Sequence, residues 1–133
     1  MLHHIEINVS NLKKTKKFYD FLLPKLGYQH FQEWDQGFSY KYEDYYIVFV
    51  QTREKYNGRQ FSRTGTGLNH IAFSTPSKYE IDSLRLELLK AGVIELYPDA
   101  YPHAGGEKHY AFFFEDPDRI KLEIVAKSPS VRI

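Results

Sequence analysis

The chain contains no cysteine. Disulfide frameworks, thiolate metal sites and thiol nucleophiles are therefore excluded. Any metal centre has only histidine and carboxylate to draw on. An excess of one charge is also missing, since 18 Lys+Arg against 17 Asp+Glu leave a formal net charge of +1. That balance removes the global electrostatic reason for a nucleic-acid or membrane-surface partner, and neither is expected. No apolar run approaches the roughly 20 residues that span a bilayer. Met1-Leu2-His3-His4 turns polar within three residues, without a signal-peptide pattern. A cytoplasmic location is the expectation. What the chain does have is apolar and aromatic supply: 42% of its 133 residues are hydrophobic and 17% aromatic. A disordered chain lacks that supply, so this one builds a core, and its length suits a single domain or two small halves.

The pattern is that of two similar halves. Ile5-Glu6-Ile7-Asn8-Val9 alternates with period two, as a half-buried strand does. Asn11 is the expected N-cap of a helix over Thr15–Leu26, with Phe18, Tyr19, Leu22, Leu23 and Leu26 at helical spacing and Pro24 and Gly27 at its end. Lys13, Lys14, Lys16 and Lys17 lie largely opposite that stripe and read as a solvated face. Runs at Tyr28–Trp34, Phe38–Tyr42 and Tyr45–Val50 follow, joined by short turns, and predict an antiparallel meander.

After a polar, turn-rich stretch the pattern restarts. His70-Ile71-Ala72-Phe73-Ser74 matches His4-Ile5-Glu6-Ile7-Asn8 at an offset of 66. A second helix with Ile81, Leu84, Leu88 and Ala91 on one face ends at Gly92, and strands are expected at Val93–Tyr97, Tyr110–Phe114 and Ile120–Val125. Each half thus reads as strand, helix and three strands, an α+β architecture of paired βαβββ modules. The expected boundaries are module one 1–52, linker 53–66, module two 67–127 and a tail 128–133, together one domain.

Six histidines are available, and two share a repeat position: His4 and His70, each at the start of its half's first strand. Within Leu122-Glu123-Ile124-Val125, Glu123 shares a strand face with Lys121 and Val125. A carboxylate on a sheet's concave face is costly unless it is paired, protonated or bound to a cation. Two imidazoles and a carboxylate are the ligands of a facial triad. On spacing alone, strand histidines are equally hydrogen-bonded structural residues, and Glu123 equally pairs with a basic neighbour.

The segments His4–Val9, Gly67–Phe73 and Glu115–Glu123, the last containing Asp116-Pro117-Asp118-Arg119, resemble the vicinal-oxygen-chelate superfamily. That group includes glyoxalase I, extradiol dioxygenases, and fosfomycin and bleomycin resistance proteins. The resemblance spans residues 3 to 126 and is nearest to a small bacterial glyoxalase-like subgroup. It implies a cupped mixed sheet around a central cavity, helices outside, and a divalent ion (Mn, Fe, Zn or Ni) held by His4, His70 and Glu123. The further glutamate ligand that glyoxalase I carries at the end of its first module is matched here to Phe49. Three ligands with an open face are similar to the dioxygenase and fosfomycin branches, and Trp34-Asp35-Gln36-Gly37 and Tyr56-Asn57-Gly58 resemble the fosfomycin transferases. Arg119 stands where the family turn usually has glycine, which predicts a strained or altered turn.

The expected function is a metal-dependent enzyme on a small oxygen-chelating substrate, of lyase or isomerase, dioxygenase or transferase type. The alternative is a small-molecule binding protein of the bleomycin or fosfomycin resistance type. His109 is the candidate proton shuttle, and Glu6, two residues along from His4, a second catalytic candidate. The Pro- and Gly-rich stretch Tyr97–His109 is expected to be a mobile loop at the cavity mouth, or else an ordinary long hairpin connection. A homodimer is expected from the resemblance.

Overall fold

The computed structural model describes residues 1–127, and the tail expected at 128–133 lies outside them. The chain divides into two compact units, Met1–Phe61 and Ser62–Ile133, and each carries a βαβββ module with its own four-stranded mixed sheet.

In the first unit, β1 (His4–Val9) pairs in parallel with β4 (Tyr45–Gln51), which pairs antiparallel with β3 (Gly37–Tyr42), itself antiparallel to β2 (Gln29–Trp34). The helix α1 (Leu12–Leu22) begins at Asn11, whose side chain accepts from the Lys14 N–H at 3.1 Å. That contact satisfies one of the orphan donors of the first turn. A 3-10 turn over Leu23–Leu26 extends it, and Gly27 closes the turn at φ +90°, a conformation cheap only for glycine. The helix buries Thr15, Tyr19 and Leu22, and Tyr19 stacks on Phe49 of β4 at 4.2 Å, which in turn stacks on Phe38 of β3 at 5.0 Å. Lys13, Lys14 and Lys17 are exposed, and Lys16 pairs with Asp20 at 2.6 Å. Burial deepens along β1 from exposed Ile5 to buried Val9, so the alternation covers its inner face only toward the helix end.

The second unit repeats the order. Its β5 (Ile71–Thr75) is parallel to β8 (Lys121–Ala126), followed by antiparallel β7 (Ala111–Glu115) and the short edge strand β6 (Ile94–Leu96). The helix α2 (Lys78–Lys90) starts at Ser77, whose hydroxyl accepts from the Glu80 N–H, and buries Ile81, Leu84 and Leu88. Ala91, expected on the buried face, is exposed, because the helix has already ended there. Phe112, Phe114, Leu122 and Ile124 form the fully buried face of this sheet. The alternate residues of β7 and β8, Phe113 and Glu123, are cross-strand partners on its other face.

Register also corrects one sequence assignment. His4 pairs with Tyr46, so Val48 stands two residues on along His4's face, as Glu123 stands in the second unit, where Ala72 pairs with it. Phe49 points instead at α1. Apolar runs such as Ile47-Val48-Phe49-Val50 do not declare which face each residue takes, and a one-residue slip exchanges the two. The first module still offers no carboxylate at that position. With Phe49 wedged between Tyr19 and Phe38, Phe49→Ala is expected to lower stability by about 3–5 kcal/mol in urea titration.

Candidate functional site

The second unit holds a pocket of about 550 Å³ on the face of its sheet away from α2. Phe113, Glu123, Lys121 and His70 line it. Ala100, Ala104 and Gly105, from the segment between β6 and β7, complete the rim with Tyr97 and His109. Glu123 is only 4% exposed, although it is ionisable. Burial of that kind demands partners, and both carboxylate oxygens have them: Oε1 lies 3.1 Å from His70 Nε2, and Oε2 contacts His109 Nε2 closely. His70 sits one residue before β5, and its Nδ1 lies 2.6 Å from Asn69 Oδ1. When Nδ1–H donates to that oxygen, neutral His70 presents an Nε2 lone pair to a carboxylate oxygen. The two acceptors then call for a shared cation, either a proton or a metal.

His70, His109 and Glu123 therefore meet in one pocket. His4 and Glu6 lie on one face of β1 in the first unit. There the His4 ring stacks on Tyr46 at 4.8 Å, and its Nδ1 lies 2.8 Å from His3 Nδ1. Glu6 is exposed and makes no ion pair among the described residues. His103 is exposed too. Among the described residues, no group of three or more His, Cys, Asp or Glu side chains is already arranged to hold a metal ion. The pocket's donors, imidazole nitrogens beside a buried carboxylate, are those a divalent first-row ion selects, so the residues present fit such an ion.

The segment between β6 and β7, expected to be a mobile loop, is stapled at several points. Tyr101 and Tyr110 both donate to Asp82 Oδ1 on α2, at 2.5 and 2.6 Å. Those bonds, Tyr101's first, hold the Asp82 carboxyl below its ordinary pKa, while burial and the same bond push the Tyr101 phenol well up. Arg85 lies 4.1 Å over the Tyr101 ring and makes two bonds to Glu95, at 2.8 and 2.9 Å. Tyr97 enters the segment in the left-handed region at φ +56°, uncommon for a side chain of its size. Composition could not reveal these staples, because Asp82 and Tyr101 are 19 residues apart and read as ordinary surface groups.

A second pin orders the approach to β8. Asp116 Oδ1 accepts from the N–H groups of Asp118 and Ile120, and Arg119 adopts φ +64°, as its place in the turn predicts. Its Nε lies 3.1 Å from Glu115 Oε2, which Arg63 Nη1 also reaches at 2.8 Å. Burial alone would raise the Glu115 pKa, but the two guanidiniums overcome it and the net displacement is downward. Its stabilising contribution is complete above the unfolded value near 4.5 and is lost as pH falls through the depressed folded value. In urea titrations, the stability gap between the native chain and Glu115→Gln is therefore expected to close as the solution is acidified below that range.

Gly105 is a contact glycine: a Cβ there would lie 2.5 Å from His109 Cδ2 and 3.3 Å from its Nε2. Gly105→Ala is expected to push the His109 ring off Glu123 and to cost about 1–3 kcal/mol through overpacking. Ring nitrogen NMR checks this, and unchanged His109 resonances would refute the seating.

Residues 1–124 match the profile of the Glyoxalase/Bleomycin resistance protein/Dioxygenase superfamily. The chain is 44% identical over 127 residues to the uncharacterized protein YqjT of Bacillus subtilis (strain 168), covering 96% of this chain and 99% of that one. It is 50% identical to a glyoxalase-like protein from Bacillus halodurans of known crystal structure, with a TM-score of 0.94 over 96% of each chain. The fosfomycin resistance protein FosX of Listeria monocytogenes shares the fold at 21% identity, with a TM-score of 0.71 over 96% of this chain and 93% of that one. With its two βαβββ units and this match along nearly its whole length, the chain belongs to the Glyoxalase/Bleomycin resistance protein/Dioxygenase superfamily.

Proposed function

We propose that the protein is a divalent-metal-dependent enzyme acting on a small oxygen-chelating substrate, with His4, His70 and Glu123 as the ligands. The observation that carries the reading is Glu123, a buried carboxylate facing His70 Nε2 while Asn69 engages the other ring nitrogen. That pair is better matched to a bound cation than to its own company. Mn, Fe, Zn and Ni all suit imidazole and carboxylate donors. An ion of this kind supplies Lewis-acid stabilisation of negative charge developing on substrate oxygens. The chain's residues do the rest. Asn69 fixes the orientation of His70, as outer partners of ligating histidines do. His109, brought to Glu123 by the rim, is the candidate to carry a proton on Nε2 to or from the substrate. Glu6, exposed on His4's face of β1, is the second candidate base.

Reaction type belongs to the same proposal: lyase or isomerase, dioxygenase, or transferase. So do a cytoplasmic setting and a homodimer. Within the described residues no helix is long and apolar enough to cross a membrane. A second reading, a small-molecule binding protein of the bleomycin or fosfomycin resistance type, is favoured by the aromatic wall that Tyr97 and Phe113 give the pocket.

Elemental mass spectrometry of protein purified without chelator or a histidine tag separates the two. The enzyme reading expects about one divalent ion per chain, lost in Glu123→Ala and in His70→Ala while circular dichroism shows the fold retained. Full metal retention in Glu123→Ala would sink the ligand assignment. Failure to load any of the four ions, with ligand affinity indifferent to metal, would establish the binding reading instead.

A further inference from the structure

The pocket contains one cation that the metal reading does not use. Lys121, the first residue of β8, lines it with its Nζ 5.0 Å from the ring centroids of both Tyr97 and Phe113. It makes no ion pair among the described residues, although two carboxylates share its sheet face. Glu115 is its direct cross-strand partner, and Glu123 lies two residues further along β8. Both have other neighbours closer than Lys121. Glu115 Oε2 is held by Arg63 and Arg119, and the two oxygens of Glu123 are held by His70 and His109. Arg63 and Arg119 both pair with Glu115, whereas Lys121 pairs with neither carboxylate among the described residues. It lies over aromatic faces in a pocket that the small residues Ala100 and Ala104 also line.

We propose that Lys121 anchors the oxyanion of the substrate, so that the protein takes small molecules carrying a carboxylate or phosphonate group beside a flat or apolar portion that lies on Phe113 and Tyr97. The assignment rests on this pocket being the substrate pocket, but not on the metal. A lysine ammonium is a compact point charge with three donors, suited to an oxyanion whose other contacts are apolar. The aromatic faces hold the ammonium in place without neutralising it, leaving its charge available to an incoming anion. Tyr97, whose backbone is left-handed, has its ring centroid 5.0 Å from the Lys121 ammonium.

The test uses metal-free protein, dialysed against chelator, with phenylphosphonate and benzoate as anionic probes and benzyl alcohol as the neutral one, read by calorimetric or NMR titration. The anions are expected to bind at least about tenfold more tightly than the alcohol. Their affinity should weaken as sodium chloride is raised. Lys121→Met should lose that preference, and Lys121→Arg should retain it. Lys121→Arg also guards against a folding defect in the methionine variant, because it keeps the charge and the stem. Equal binding of anionic and neutral probes, binding unchanged in folded Lys121→Met, or no binding of either anion would each overturn the assignment. A metal that loads normally alongside such a failure leaves the metal reading standing. Anion binding that needs Lys121 in protein that never loads metal leaves this one standing alone.

Discussion

Glu123 is placed by β8 on the side of the sheet away from α2, nearly sealed from water, and the surrounding unit is arranged around that charge. An isolated buried carboxylate is too costly to persist. The residues that answer it come from three places: His70 just ahead of β5, His109 at the end of the connection between β6 and β7, and Asn69 behind His70. Each depends on a different structural device. The parallel pairing of β5 with β8 sets His70, and the staples from Tyr101 and Tyr110 to Asp82 tie the connection to α2. The absence of a side chain at Gly105 admits the His109 ring. A small unit with a modest core thus spends several of its tertiary contacts on presenting one polar group.

The same strip of sheet shows how charge is partitioned. Glu115 and Glu123 lie on one face of β7 and β8, yet their partners differ in kind. Guanidiniums favour the charged form of Glu115 in a structural pin at the turn into β8. Imidazoles, which can yield to a cation, hold Glu123 in the pocket. The first carboxylate keeps the strand's entry in place, and the second is left for chemistry. Lys121 shares their face and makes no ion pair with either among the described residues.

Much of the architecture was legible in the chain. The restart of His4–Asn8 at His70–Ser74, the caps at Asn11 and the stops at Gly27 and Gly92 are local signals, and local backbone physics enforces them. Facing along β8 was legible too, because alternation about Glu123 is interrupted by no second charged residue on the helix side. The all-apolar strand β4 was not: with no polar residue to mark a face, Phe49 was assigned the position that register gives to Val48. The exposed end of Ile5 and the exposed Ala91 have the same origin, since periodicity indicates a face but not how far its covering partner extends.

By itself, the sequence determined the two βαβββ units, their order, and a site without sulfur that must rely on histidine and carboxylate, because composition and short-range periodicity bear directly on these. Tertiary structure alone decided that His109 meets Glu123, that Asp82 ties down the pocket rim, and that Lys121 is left without a carboxylate partner. Those outcomes depend on contacts between residues as far as 53 positions apart, such as His70 with Glu123 and Arg63 with Glu115. Such pairings are chosen by strand register and loop geometry, and no local pattern in the chain encodes them.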